Sequence, residues 1–263
     1  MTQDDTYRRV QAQFGRTAPA YVESTGHAEG AELTTMVTLA ERMLGSLSGQ
    51  KTLDVATGGG HTALAFARAG AAVTATDLTP EMLAAARAFV RANGGEAVQF
   101  APAAAEALPF AAETFDLVTC RIAAHHFAGP ERFVREAARV LRPGGLLLLV
   151  DNVSPEDAAL ARVMNDVEGR RDSSHVWAYT VRQWVVWFAD AGFDVHHLSR
   201  WWTHKLYWEW LERAQTPEAV GDALARDVLN LSPAQKAYLQ VQEGKGGLES
   251  LAHEAALLVG RKF

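Results

Sequence analysis

LDVATGGGHTAL, residues Leu53 to Leu64, is the stretch on which the fold turns. An apolar strand closes on an acidic residue, Asp54, and the chain then runs through three glycines into a helical pattern. Glycines at that position let backbone approach a ligand closely. The helix start beyond them offers unpaired N–H groups and a partial positive charge. The segment therefore reads as a cofactor loop at the end of a buried strand. Two cofactors fit the loop alone. Gly58, Gly60 and Ala63 satisfy the dinucleotide fingerprint GxGxxA, and Asp77 closes the next strand where a ribose-binding carboxylate belongs. Asp54 argues the other way, since its charge suits a cationic ligand carrying a sulfonium and an α-amino group better than a pyrophosphate.

Working outward, short apolar runs at 51–56, 72–77, 97–101, 115–120 and 145–151 read as five buried strands separated by helical patterns. Pro80 opens one helix, which Asn93, Gly94 and Gly95 end, and PERFVREAARVLRPGG supplies another with its own Pro-Gly-Gly stop. This alternation predicts an α/β fold, a mostly parallel sheet with helices on both faces. Past Asn152, helices over about 155–170 and 181–191 precede a sixth strand from Phe193, and HEAALLVGRKF forms a seventh at the end of the sequence. Residues 203–253, with turn signals at Thr216-Pro217, Ser232-Pro233 and Gly244–Gly247, read as a helical insertion before the last strand. A single domain over 1–263 is expected: an N-terminal helical segment (1–48), a cofactor-binding core (51–152) and the insertion. All seven tryptophans fall between Trp177 and Trp210, either packing the insertion on the sheet or forming an aromatic wall for a flat substrate.

Composition bounds the function. With 48% hydrophobic residues in 263, a large core is available, and a net charge of −6 gives no basic field for nucleic acid. One cysteine, Cys120, leaves no intramolecular disulfide and fits a reducing, cytoplasmic setting. The first thirty residues are polar, and no run reaches the ~20 apolar residues of a membrane span, so neither signal peptide nor membrane insertion is expected. Small-molecule chemistry by a monomer or homodimer is the expectation.

Six segments in order then carry a resemblance: LDVATGGG, the strand end ATD, AAAEALPF, FDLV, CRIAAHHF and LRPGG. Together they resemble the class I S-adenosylmethionine-dependent methyltransferases, in the small-molecule branch that includes the ubiquinone and menaquinone enzymes. The resemblance covers residues 51–152 and implies a Rossmann-like, seven-stranded, mostly parallel sheet with an antiparallel last strand. It implies S-adenosylmethionine as cofactor, S-adenosylhomocysteine as product, and in-line methyl transfer to a small molecule. Asp54 and the Ala56, Thr57, Gly58 and Gly60 backbone would hold the methionine part, Asp77 the ribose hydroxyls, and Leu78 and Met82 the adenine. Arg121 would lie near the methionine carboxylate. Two positions depart from the pattern. Ala56 replaces the first glycine, a mild change if its φ is negative. Ala104 replaces the aspartate that meets the adenine amino group, leaving the Ala105 backbone and Glu106 to read it.

For an acceptor that must lose a proton, His125 and His126 are the candidate bases, the other reading of His126 being a ring that packs or bonds to backbone. Cys120 reads as an inert buried thiol. Asp151 and Asn152 echo a magnesium site, but Arg121 stands where its third carboxylate belongs, so no metal is expected. Phe14, Ala18 and Tyr21 share a helical face: the resemblance implies a lid folding over the cofactor, with Tyr21, Ser24 and His27 as its substrate-side residues, and core packing of the same stripe is the other reading. The segment GRRDSSHVWAY, with Arg170, Arg171, Asp172 and His175, is either a salt-bridged loop or a recognition loop for an acidic or polar substrate. An NAD-dependent oxidoreductase, and a binding module without catalysis, are the competing readings at this point.

Overall fold

The computed structural model describes residues 2–22 and 30–263, without the side chains of residues 19–22. Helices α1 (Gln3–Val22) and α2 (Ala31–Leu44) lead into the alternating core. The core runs β1 (Lys51–Val55), α3 (His61–Arg68), β2 (Ala72–Asp77), α4 (Pro80–Ala92), β3 (Gln99–Pro102) and β4 (Phe115–Arg121). After a short 3-10 turn at Ala124–His126 come α5 (Pro130–Val140), β5 (Leu141–Asn152), α6 (Ala158–Arg171), α7 (Val181–Asp190) and β6 (Phe193–Leu206). The insertion holds α8 (Tyr207–Arg213), α9 (Glu218–Leu229), α10 (Pro233–Tyr238) and the short β7 (Gln242–Gly244), before β8 (Gly247–Lys262) closes the sheet.

The sheet order is β3-β2-β1-β4-β5-β8-β6, with β7 added onto β8. The first five strands are mutually parallel, and β8 runs antiparallel to both β5 and β6. An antiparallel strand between β5 and β6 departs from the dinucleotide-binding order, in which all six strands are parallel. The expected seven strands are present, and β7 makes an eighth among the described residues. The helical stretch is shorter than the 203–253 expected, because β6 continues to Leu206 and β8 starts at Gly247. Position in the sheet explains the burial of each strand. The inner strand β8 is buried on both faces from Leu251 to Gly260, whereas the outer strand β6 alternates covered and exposed residues along its length.

Two apolar layers flank the sheet. Phe133, Trp184 and Phe188 pack one face beneath α5 and α7; Met36, Ala40, Phe66 and Val90 pack the other beneath α2, α3 and α4. A third cluster, including Met164, Tyr207, Trp210, Leu224 and Leu251, holds the insertion against β8 and α6. At the start of α3 a glycine is required: Gly60 has φ +87°, and a Cβ there would lie 2.7 Å from Val90 Cγ2. That contact draws α3 and α4 together beside the carboxyl ends of β1 and β2.

Candidate functional site

The carboxyl ends of β1, β2 and β4 surround a cleft with about 930 Å³ of empty space, mouth included. It lies where ligands bind in open α/β sheets. Asp54 stands at its floor, almost fully buried, and accepts hydrogen bonds from Thr57 Oγ1 (2.6 Å) and Thr119 Oγ1 (2.7 Å). Burial outweighs those bonds and raises its pKa to about 6. Asp77, also buried, accepts from the backbone N–H of Gly58 (3.0 Å) and of Thr79 (2.9 Å), and burial again lifts its pKa to about 6. Two buried carboxylates that hold their charge with difficulty at neutral pH are suited to receive a cation or hydroxyl donors from a ligand. The cleft also gathers Ala56, Thr57, Gly58, Leu78, Met82, Ala105, Glu106 and Arg121. Gly60 lies behind the lining as a packing residue, and Ala104 is turned into a backbone bridge with Ala107.

Two local geometries correct the sequence reading. Ala56 has φ +53°, not a negative φ, and Ile122 at the end of β4 matches it at +53°. Both non-glycine residues line the cleft in the left-handed region, the kind of backbone strain that clusters at functional sites. Glu106 is already engaged: its carboxylate accepts from Tyr7 Oη (2.9 Å) and from the N–H groups of Ala128 (2.8 Å) and Gly129 (3.2 Å), at the start of α5. It therefore ties α1 and α5 together at the edge of the cleft, and reading adenine through its side chain would mean giving up one of these bonds.

Helix α1 covers the cleft with Tyr7, Val10 and Phe14. Tyr7 and Val10 were missed from sequence, though they continue the Phe14 and Ala18 face toward the N-terminus at helical spacing. Polar bonds fasten the helix down: Gln11 Nε2 donates to Leu78 O (3.1 Å), Gln13 Nε2 to Ala214 O (2.7 Å), and Arg9 to Ser173 O. Of the lid residues expected to meet substrate, Ser24 and His27 lie outside the described residues, as does the Tyr21 side chain.

Beside the cleft opens a larger cavity, about 1750 Å³ on the same measure, and the two share Phe14, Arg121, Ile122 and His126 in the wall at their junction. Arg121 braces that wall, donating to Thr62 Oγ1 (2.9 Å) and Glu32 Oε1 (2.9 Å). His125 lines the larger cavity with its Nδ1 2.6 Å from Asp151 Oδ1, while its backbone N–H donates to Asp151 Oδ2 (2.8 Å). Burial works against a charged His125 ring, but the Asp151 carboxylate prevails and its pKa is raised. With Asp151 ionised, Nδ1 carries the proton and Nε2 is the basic nitrogen.

His126 behaves differently. Ser174 Oγ spends its one hydrogen on Asp172 Oδ1 (2.5 Å), so His126 Nδ1, 3.2 Å away, donates to Ser174 Oγ and leaves Nε2 unprotonated. Burial, reinforced by the neighbouring His125, lowers its pKa to about 4. The two rings lie 4.1 Å apart, with the pKa of His125 raised by Asp151 and that of His126 lowered by burial. His175 lines neither cavity. It is buried, hydrogen-bonded through Nε2 to Asn165 Oδ1 (2.8 Å), and burial lowers its pKa to about 3. Arg170 pairs outward with Asp227, whereas Arg171, at the end of α6, lines the larger cavity.

The tryptophans divide by role. Trp184 is core, Trp208 is half exposed, and Trp201, Trp202 and Trp210 line the larger cavity. The Cys120 thiol is buried in β4 with its pKa pushed up by burial. Asp151 is committed to His125, and among the described residues no group of three or more His, Cys, Asp or Glu side chains is arranged to hold a metal ion. No described helix is long and apolar enough to cross a membrane.

A mostly parallel sheet with an antiparallel last strand, carrying a glycine-lined and carboxylate-flanked cleft beside a second cavity, defines a class I methyltransferase architecture. The chain belongs to that family: the methyltransferase domain matches over residues 53–149. It is 36% identical over 207 residues to the uncharacterized methyltransferase YcgJ of Bacillus subtilis, covering 79% of this chain and 80% of that one. The crystal structure of YcgJ superposes with a TM-score of 0.83 at 33% identity, over 88% of this chain and 97% of that one. A ubiquinone biosynthesis O-methyltransferase of Leptothrix cholodnii is 33% identical over 165 residues, 60% of this chain and 69% of its own.

Proposed function

We propose that this methyltransferase uses S-adenosylmethionine and delivers the methyl group, by in-line displacement, to a small molecule held in the larger cavity. The observation that carries the reading is the pair of buried carboxylates, Asp54 and Asp77, at adjacent strand ends around an open glycine backbone. A Cβ at Gly58 would meet nothing within 4 Å, so the loop leaves space for a ligand to lie against its backbone. Bound there, S-adenosylmethionine supplies a methyl carbon activated by its sulfonium. Asp54, with Thr57 and Thr119 fixing both its oxygens, offsets the positive charge of the methionine part. Asp77 accepts from the ribose hydroxyls, and Leu78 and Met82 flank the adenine. Helix α1 excludes water above them, which supports alignment as the main source of rate; positioning can supply about 7 to 11 kcal/mol.

For an acceptor that must shed a proton, His125 takes it at Nε2 with Asp151 holding the ring, and His126 stays neutral where the donor and acceptor sites meet. The reading of a hydroxyl acceptor is supported by this His–Asp pair and by the similarity to ubiquinone biosynthesis O-methyltransferases. The deciding experiment is calorimetric titration with S-adenosylmethionine, followed by detection of S-adenosylhomocysteine when a metabolite library is supplied. Hydrogen bonds to a charged acceptor are worth about 1.5 to 3 kcal/mol, so Asp77→Ala should weaken binding roughly ten-fold or more. An Asp77→Ala protein that binds S-adenosylmethionine as tightly as the wild type would remove the foundation of the proposal.

A further inference from the structure

The larger cavity runs against the charge of the chain. The whole protein carries −6, yet among the described residues the cavity is lined by four permanent or near-permanent cations, Arg121, Arg171, Lys205 and Arg213, and by two carboxylates, Glu32 and Glu168. Both carboxylates are already neutralised. Glu32 pairs with Arg121 at 2.9 Å, and Glu168 lies 2.6 Å from His253 Nδ1 and 3.6 Å from Arg171. Arg213 has partners of its own. Lys205 is the exception: among the described residues its ammonium makes no hydrogen bond and no ion pair. It lies on the covered face of β6 with Ser199, Trp201 and Thr203, and all four line the cavity.

Burial lowers the Lys205 pKa to about 8, with Arg213 and Arg171 opposing its charge and Glu168 and Glu32 favouring it. The ammonium therefore still predominates at neutral pH, incompletely compensated inside the protein. An ammonium in that situation lacks a partner anion. The rest of the wall says what body that anion is attached to. Trp210 is buried with the Arg171 guanidinium stacked 4.8 Å from its ring centre, and Trp201 and Phe14 face the same space. Flat aromatic walls beside an ammonium that has no ion-pair partner fit an apolar, planar body bearing an oxyanion.

We propose that Lys205 anchors an anionic group, carboxylate or phosphate, on a flat acceptor in the larger cavity. This deepens the methyl-transfer reading and rests on it for the word acceptor, though not for the binding itself. The test follows tryptophan fluorescence, which Trp201 and Trp210 report from the cavity wall, with the protein saturated by S-adenosylhomocysteine. The probes are 1-naphthoate, 1-naphthyl phosphate and the neutral 1-naphthamide. At least one anion is expected to bind about ten-fold or more tightly than the amide, and the winner distinguishes carboxylate from phosphate. Lys205→Met should erase that preference while Lys205→Arg retains most of it, since a charge-assisted hydrogen bond corresponds to roughly a ten- to hundred-fold effect.

Equal binding of anion and amide, absence of saturable binding by either anion, or a preference that survives Lys205→Met overturns the proposal. S-adenosylhomocysteine titration of the same proteins keeps the two readings apart. Normal affinity with no anion preference defeats the Lys205 assignment alone, whereas no affinity in the wild type defeats the cofactor assignment.

Discussion

Replacing Asp54 by asparagine should make the protein more stable and less able to bind its cofactor. The carboxylate is 1% exposed, and burial raises its pKa from 3.8 to about 6. Folded, the chain keeps the Asp54 proton up to about pH 6, while unfolded it releases it near pH 4. Between those values the folded state binds more protons, so stability declines as pH rises through the window and stays reduced above it. The rise in pKa corresponds to about 3 kcal/mol at neutral pH. The asparagine side chain would carry no charge, and its amide can keep both threonine partners if one hydroxyl turns to accept. Removing the Asp54 charge also relieves Asp77, whose own pKa it helps to raise. Urea unfolding of the ligand-free proteins at pH 7.5 should show Asp54→Asn more stable by about 1 to 3 kcal/mol, with the gap closing toward pH 4. Calorimetry should show S-adenosylmethionine affinity falling at the same time. A variant less stable than wild type at pH 7.5, or an advantage independent of pH, would refute the claim that this carboxylate is kept charged for a ligand.

Other consequences follow from the same geometry. Ala56→Gly, at φ +53°, relieves a left-handed alanine and should raise stability by up to about 1 kcal/mol in urea unfolding, the gain being trimmed by the freedom glycine adds to the unfolded chain. Asp151→Asn should lower kcat by about a hundred-fold or more on a hydroxyl acceptor, because His125 loses the partner that fixes its tautomer. In the wild type the rate should fall as acidification protonates His125. Without the Asp151 carboxylate burial dominates, the His125 pKa drops, and the acid limb of the pH–rate profile should move to lower pH. An unmoved limb would mean that His125 is not the group being titrated.

The parts of this protein legible in its sequence are those in which cause and effect lie within a few residues. The run from Leu53 to Gly60 contains its own strand, its own acidic tip and its own turn, and Asp77 ends β2 for the same local reason. The covering of the cleft by α1 was half legible, since Phe14 and Ala18 show their helical face but Tyr7 is identified by its bond to Glu106, 99 positions away. Left-handed Ala56 could not be read at all, because alanine ordinarily avoids that conformation and only the surrounding fold imposes it. The extent of β6 was hidden differently. FDVHHLSRWWTHKL alternates as a strand with one covered face should, but its covered positions include Ser199, Thr203 and Lys205, which do not register as apolar.

That hidden alternation is also why the larger cavity resisted reading while the cleft at the strand ends did not. Apart from the α1 residues that cover it, the cleft is built from neighbouring strand ends, so those residues appear in sequence order within the family match. The larger cavity is assembled by the antiparallel pairing of β6 with β8, which sets Lys205 opposite Leu251 and Thr203 opposite His253. His253 in turn meets Glu168 from α6, and Glu168 meets Arg171. No spacing rule connects positions 168, 205 and 253. If the larger cavity holds the acceptor as proposed, chemistry common to methyl transfer is written in local motifs, and the choice of acceptor in the register of two late strands and in the insertion between them. Substitutions in β6 and α8 that keep the core face apolar should therefore change which molecule is methylated before they change cofactor affinity.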